Sequence, residues 1–174
     1  MNIPAYPILS VIPLQGQDYL PHILDKIDSA KTRIWASIFI VDARVHKDEF
    51  NSVRTLIEKL AYAAWRNVDV RIIVGSATIV DVYVACLTSA YYMKKQGLNV
   101  RGFASATNRR KSTHSKYLLF DDNWTIIGSN NWTHESFHEA VNSSLAVESE
   151  ELNASLSHEF GAVWQTSNEI TYES

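Results

Sequence analysis

The chain reads as an α/β domain, a mixed, mostly parallel β-sheet of about six strands with helices packed on both faces. Three observations predict it. The apolar run of strand length at 33–41 is nearly uninterrupted, as in a strand covered on both sides, and 68–74 reads as a following strand. Around them lie stripes of apolar residues three and four positions apart, the mark of amphipathic helices. A chain of 174 residues, 46% of them hydrophobic, suits one core, so residues 1–174 are expected to form a single domain.

Residues 9–14 make a short first strand or extended segment. After Gly16, apolar positions at Leu20, Ile23, Leu24 and Ile27 have helical spacing, with Pro21 suited to a first turn. The run 33–41 is a central strand that Asp42 closes. A helix over 48–66 follows from Val53, Leu56, Ile57, Leu60, Ala61, Ala64 and Trp65. The strand 68–74, ended by Gly75-Ser76, completes a β-α-β unit and implies a parallel pair. A second helix covers 79–96 and stops at Gly97. Residues 99–103 are a short strand, and 104–112 a polar loop. Strand 144–147 and helix 151–164 close the fold, leaving the last ten residues loose.

Composition narrows the function. The net charge of −3 gives no overall basic field, so a polyanion site has to be local. Arg109, Arg110 and Lys111, with Arg101 nearby, provide one; such a cluster is either a solvated loop or a phosphate-backbone contact. The single cysteine, Cys86, forms no intramolecular disulfide and fits a small core position. The N-terminus lacks a basic leader, and Pro4, Pro7 and Pro13 interrupt its apolar residues. Neither a signal peptide nor a spanning helix is predicted, so the expected compartment is the cytoplasm, without stable membrane association.

The chemistry gathers in 113–133. Residues 116–120 and 124–127 are two short apolar runs separated by Asp121-Asp122-Asn123, a hairpin signal. His114 and Lys116, two apart, face the same side of an extended chain. The hairpin returns Gly128-Ser129-Asn130-Asn131 to the start of the first strand. Imidazole, ammonium and amide converging on one point suit a tetrahedral anion: Lys116 supplies charge, Asn131 and Ser129 supply donors, and His114 attacks phosphorus or moves a proton.

The pattern His114-x-Lys116-x4-Asp121-x6-Gly128-Ser129-x-Asn131 resembles the HKD signature of the phospholipase D superfamily, complete in spacing over about twenty residues. Outside it, the order of elements loosely resembles the small single-motif nucleases of that superfamily. The resemblance implies an α-β-α sandwich and a candidate catalytic set of His114, Lys116, Asn131, Asp121 and Ser129, with Arg109, Arg110 and Lys111 binding substrate. Strand alternation sets Asp121 apart, off the phosphate side or near a turn, in a structural or electrostatic part. Ser129 is either a phosphate donor or a turn residue.

Two features cut across this reading. Members of the superfamily often carry an acidic residue in an N-x-E context that orients the imidazole; here the matching text is Asn142-Ser143-Ser144. Either Glu135 or Glu139 takes over, or His114 is less well oriented and turnover is lower. His134-Glu135-Ser136-Phe137-His138 also fits H-E-x-x-H, the zinc-protease helix, with Glu159 imaginable as a third ligand. Three fixed positions arise easily by chance in a chain with six His, and little apolar helix surrounds them.

The expected activity is therefore a metal-independent phosphodiesterase with no cofactor, an endonuclease acting on DNA first and RNA second through a phosphohistidine. The alternatives are a phospholipid or cardiolipin hydrolase and a nucleic-acid-binding protein with weak or lost turnover. A second imidazole is needed as acid, yet the chain holds one motif. A homodimer with the active site at its two-fold interface supplies it, and Trp132 is expected on that interface.

Overall fold

The computed structural model describes residues 4–44, 51–77, 79–102 and 112–170. Its centre is one sheet of eight strands: β1 (Ser10–Gln15), β2 (Arg33–Ile38), β3 (Asp69–Val74), β4 (Asn99–Gly102), β5 (Lys116–Phe120), β6 (Trp124–Gly128), β7 (Ser143–Glu148) and β8 (Asn168–Glu169). Their order across the sheet is β1-β7-β6-β5-β2-β3-β4-β8. The helices are α1 (Tyr19–Ser29), α2 (Ser52–Trp65), α3 (Val80–Lys95), α4 (His134–His138) and α5 (Glu150–Thr166).

The mixed α/β architecture is as expected, but the sheet's balance differs. Five strands, β1, β2, β3, β4 and β6, run in one sense, while only the β2–β3 and β3–β4 pairs are parallel neighbours. The reason lies in the connections. Helical crossovers α2 and α3 make parallel pairs, whereas the tight β5–β6 turn and the return to β7 make antiparallel ones. Strand β8 falls in the tail expected to be loose, where it pairs with β4. Strand β2 stops at Ile38 rather than Asp42, and Val41 forms only an isolated bridge to Trp132.

Local signals explain the elements. Asn51 caps α2 by accepting from the Arg54 amide at 3.1 Å, and Ser149 caps α5 by accepting from Leu152 N at 3.2 Å. Gly97, at φ +82, ends α3 in the left-handed conformation. One face of the sheet packs Ile34, Ala36, Ile72, Leu118 and Ile126 against α1 to α4, whose core side chains include Ile23, Ile27, Leu56, Ile57, Leu60 and Met93. The other face carries a smaller cluster in which α5 lays Phe160 and Trp164 on Ile73, Tyr117 and Leu119. Trp35 stacks on Phe160 with centroids 5.1 Å apart, and Arg71 lies 5.0 Å from the Trp35 ring. Among the described residues no helix is long and apolar enough to cross a membrane.

Candidate active site

Residues 112–115 enter the sheet without regular structure, and β5 begins at Lys116, opposite Ile38 of β2. His114 is exposed, with its ring centroid 4.4 Å from that of Phe39, the residue just beyond β2. The Lys116 ammonium lies 5.0 Å from the same Phe39 ring and donates to His114 O at 2.9 Å. Burial lowers the Lys116 pKa from its ordinary value, because a part-desolvated ammonium has lost hydration. The two side chains placed on one side by strand alternation do share a neighbour.

The hairpin return brings Asn131 beside Ile40, the residue after Phe39. Its Oδ1 accepts from Ile40 N at 3.2 Å. The preceding turn is tied by polar side chains. Ser129 Oγ donates to Asn142 Oδ1 at 2.8 Å and accepts from Ser143 N at 3.0 Å. Buried Asn130 accepts from Ser144 Oγ at 2.7 Å and donates to Ser136 O at 3.2 Å. Gly128 faces Ser144 across the ladder, and a Cβ there would overlap Ser144 Oγ. The serine standing where the superfamily often has an acid is thus occupied with Asn130 and packed against a glycine.

Neither candidate substitute for that acid is bonded to His114. Glu139 pairs with His134 Nε2 at 3.7 Å, and Glu135 lines a neighbouring cleft. Asp121 stands at the opposite end of β5, so the structure does not bring it together with His114, Lys116 and Asn131. Its Oδ1 accepts from Thr32 N at 2.7 Å, Thr32 Oγ1 at 2.9 Å, Lys31 N at 3.0 Å and Arg33 N at 3.2 Å. Burial acts to raise this carboxyl, but the donors from Thr32, Arg33 and Lys31 outweigh it and hold the pKa below the usual range. Asp121 also takes the turn's left-handed position at φ 47. Arg109, Arg110 and Lys111 lie outside the described residues.

A cleft of about 420 Å³ opens beside Asn131, lined also by Ile40, Asp42, Arg44, Asp81 and His134; neither His114 nor Lys116 lines it. Arg44 is held there by Asp42 and by Asp81, each at 2.7 Å, and these bonds push its pKa up. The H-E-x-x-H segment is a single turn capped by Thr133, whose side chain accepts from Ser136 N. His138 Nε2 is 2.7 Å from Ser52 Oγ, and His134 faces Glu139. Among the described residues no three His, Cys, Asp or Glu side chains gather as a metal site requires.

A profile of the family described as "Cardiolipin synthase, PLD-like domain" matches residues 23–164. The chain belongs to the phospholipase D-like family. The match takes in the whole motif and runs from within α1 to nearly the end of α5. Solved structures agree in fold. Nuc from Salmonella typhimurium, a phospholipase D family member, superposes with a TM-score of 0.73 at 20% identity, covering 95% of this chain and 99% of that one. NucT from Helicobacter pylori gives 0.69 at 14% identity, covering 91% and 98%. TrmBL2, an archaeal chromatin protein described with a novel mode of DNA binding, gives 0.57 at 12% identity over 91% of this chain and 53% of that one. A comparison with curated proteins gives no match. The phospholipase D-like framework therefore accounts for the sheet and for where the motif sits.

Sequence reasoning missed two participants. Phe39, the ring shared by His114 and Lys116, lies within the apolar run 33–41 and carries no local signal that separates it from core. Asn142, which holds Ser129, stands in the N-x-E-like text, where its polar character was the available clue. Trp132, expected on an interface, is fully buried. Its N donates to Ile40 O and its O accepts from Asp42 N, and this bridge turns the indole inward.

Proposed function

We propose that the protein is a metal-independent phosphodiesterase, an endonuclease working through a phosphohistidine in a homodimer whose active site spans the two-fold axis. The observation that carries the reading is the convergence of His114 and Lys116 on Phe39, with the Asn131 amide held by the adjacent Ile40. An imidazole nitrogen of His114 attacks phosphorus, the bond to the leaving oxygen breaks, and the partner's His114 protonates that oxygen. Water then attacks the phosphohistidine, the second imidazole takes its proton, and the P–N bond breaks to restore His114. Lys116 and the Asn131 amide stabilise charge on the nonbridging oxygens. Ser129, committed to Asn142 and Ser143, contributes by holding the turn.

Nucleic acid is favoured as substrate by Arg109, Arg110 and Lys111, which precede His114 by three to five residues, and by the fold shared with the DNA-binding chromatin protein. Two further readings have specific support. The family's description as cardiolipin synthase favours a phospholipid or cardiolipin hydrolase. The likeness to a chromatin protein, with Ser144 tied to Asn130, favours a nucleic-acid-binding protein with weak turnover.

Purified protein incubated in parallel with plasmid, single-stranded DNA, RNA and cardiolipin-containing vesicles, with and without chelator, separates them. Nucleic-acid cleavage that survives chelator is the expected result. Cleavage lost in EDTA and restored by zinc moves the chemistry to His134 and His138. Headgroup release selects the lipid reading, and retention of nucleic acid without cleavage selects the binding one.

A further inference from the structure

Phe39 lies just past the last residue of β2, so no ladder position dictates where its ring points. The backbone around it is nonetheless gripped. Gly75 N donates to Ile38 O at 2.8 Å, and a Cβ on Gly75 would stand 2.7 Å from Phe39 O and 2.8 Å from Thr113 O. Only a residue without a side chain lets the end of β2 and the approach to His114 close on each other here. Hydroxyls tie the same junction. Ser76 N donates to Ser112 Oγ at 2.6 Å, Ser112 Oγ donates to Thr113 O at 3.1 Å, and Thr113 Oγ1 lies 3.3 Å from Ser37 Oγ while accepting from Ser115 N at 3.2 Å. The residues on both sides of His114 are thereby fixed to β2 and to the end of β3.

The result is one aromatic ring close to both side chains, its centroid 4.4 Å from that of the imidazole and 5.0 Å from the ammonium. We propose that Phe39 is a positioning residue for the His114–Lys116 pair, its ring setting imidazole plane and ammonium relative to each other, and Gly75 with the Ser76 amide and the Ser112, Thr113 and Ser37 hydroxyls holding it there. The inference rests on the phosphodiesterase reading only for its kinetic consequence. The physics is general. An exposed histidine in an irregular segment samples several rotamers, and most of them misalign its attack. A flat apolar neighbour removes those states before substrate arrives. The ring's quadrupole also attracts the ammonium, which donates to His114 O at 2.9 Å. Leucine fills a similar space without a flat face or a quadrupole; tyrosine keeps both.

The test uses the full chain labelled with [13Cε1]-histidine, the His114 resonance being assigned by its loss in His114→Ala. In Phe39→Leu the His114 Cε1–H order parameter should fall; in Phe39→Tyr it should stay at the wild-type value. With a cleavable substrate, kcat in Phe39→Leu should fall roughly tenfold to a hundredfold while KM stays nearly unchanged, and tyrosine should restore it. Ser112→Ala, which removes one tie and leaves the ring, should shift both readouts in the same direction by less, and it decides alone if Phe39→Leu does not fold. An unchanged order parameter in the folded variants overturns the proposal, as does wild-type kcat in Phe39→Leu. A wild-type protein that cleaves nothing but shows the expected change in order parameter sinks the phosphodiesterase reading and leaves the positioning role standing.

Discussion

The two ends of β5 are built from residues of one motif and look nothing alike. At its C-terminal end the Asp121 carboxylate receives four donors from residues 31–33, and Arg33 Nε returns to Asp121 O at 2.6 Å. At its N-terminal end the Lys116 ammonium makes, among the described residues, one hydrogen bond, to a carbonyl two residues away, and His114 is exposed. Five strand steps, roughly 16 Å, separate them. A polar residue whose partners are all satisfied within the chain holds the fold. One left with spare donors at the end of a sheet is available to a ligand. The HKD triplet thus divides into an anchor and an open pair joined by an apolar strand.

The largest test of this contrast removes the open end. His114→Ala should reduce phosphodiester cleavage to background and abolish the acid-labile phosphoryl adduct, while the unfolding transition stays within a degree or two of wild type. Mixing wild-type and His114→Ala subunits at known ratios then asks whether two imidazoles share a site: activity should follow the square of the wild-type fraction. A straight line, or a fully active monomer in sedimentation, rejects the shared site.

Changing the closed end should do the reverse. Asp121→Ala should cost about 2–3 kcal/mol of stability by leaving several amide donors at the start of β2 unmet, lowering Tm by roughly 5–10 °C. Substrate turnover per folded molecule should change little at a temperature well below that transition. The anchor also carries a pH signature. Because the folded carboxyl sits below its ordinary 3.8, the unfolded chain takes up the proton first. The stabilisation is complete above that value and is lost as pH falls through the folded one. Asp121→Asn should therefore show a flatter stability curve below pH 4 than wild type, measured by urea unfolding across the acid range; parallel curves reject the anchor.

The smallest expected effect concerns the approach to the open end. Replacing Arg109, Arg110 and Lys111 together should weaken nucleic-acid binding and reduce the slope of log K against log salt by about 0.7–0.9 for each phosphate that is no longer neutralised. An unchanged slope returns these residues to a solvated loop.

Much of this is legible in the sequence. Each helix long enough to show a stripe falls within a few residues of its expected bounds, because burying one face imposes a period of three to four. The hairpin is legible because Asp121-Asp122-Asn123 breaks two apolar runs. Asp121 itself is marked as different by alternation alone, though its partners at 31–33 lie some ninety residues away and leave no trace nearby. The pairing of β1 with β7 is equally hidden, since hydrogen bonds across a ladder are made by backbone groups common to all sequences.

What the sequence determined by itself was local: the periods of its helices, the turn of its hairpin, and a motif whose spacing names the chemistry its residues suit. The tertiary structure decided which of those residues meet. Phe39 and His114 are 75 positions apart, and they touch because β2 and β5 are neighbours in the sheet and Gly75 leaves room for the chain to close. Trp132 turned inward for the same kind of reason, a bridge to residues 40–42 that fixes which way its side chain faces. Side-chain period is written in nearest neighbours, but orientation at a strand's end is set by whichever distant backbone the sheet brings alongside.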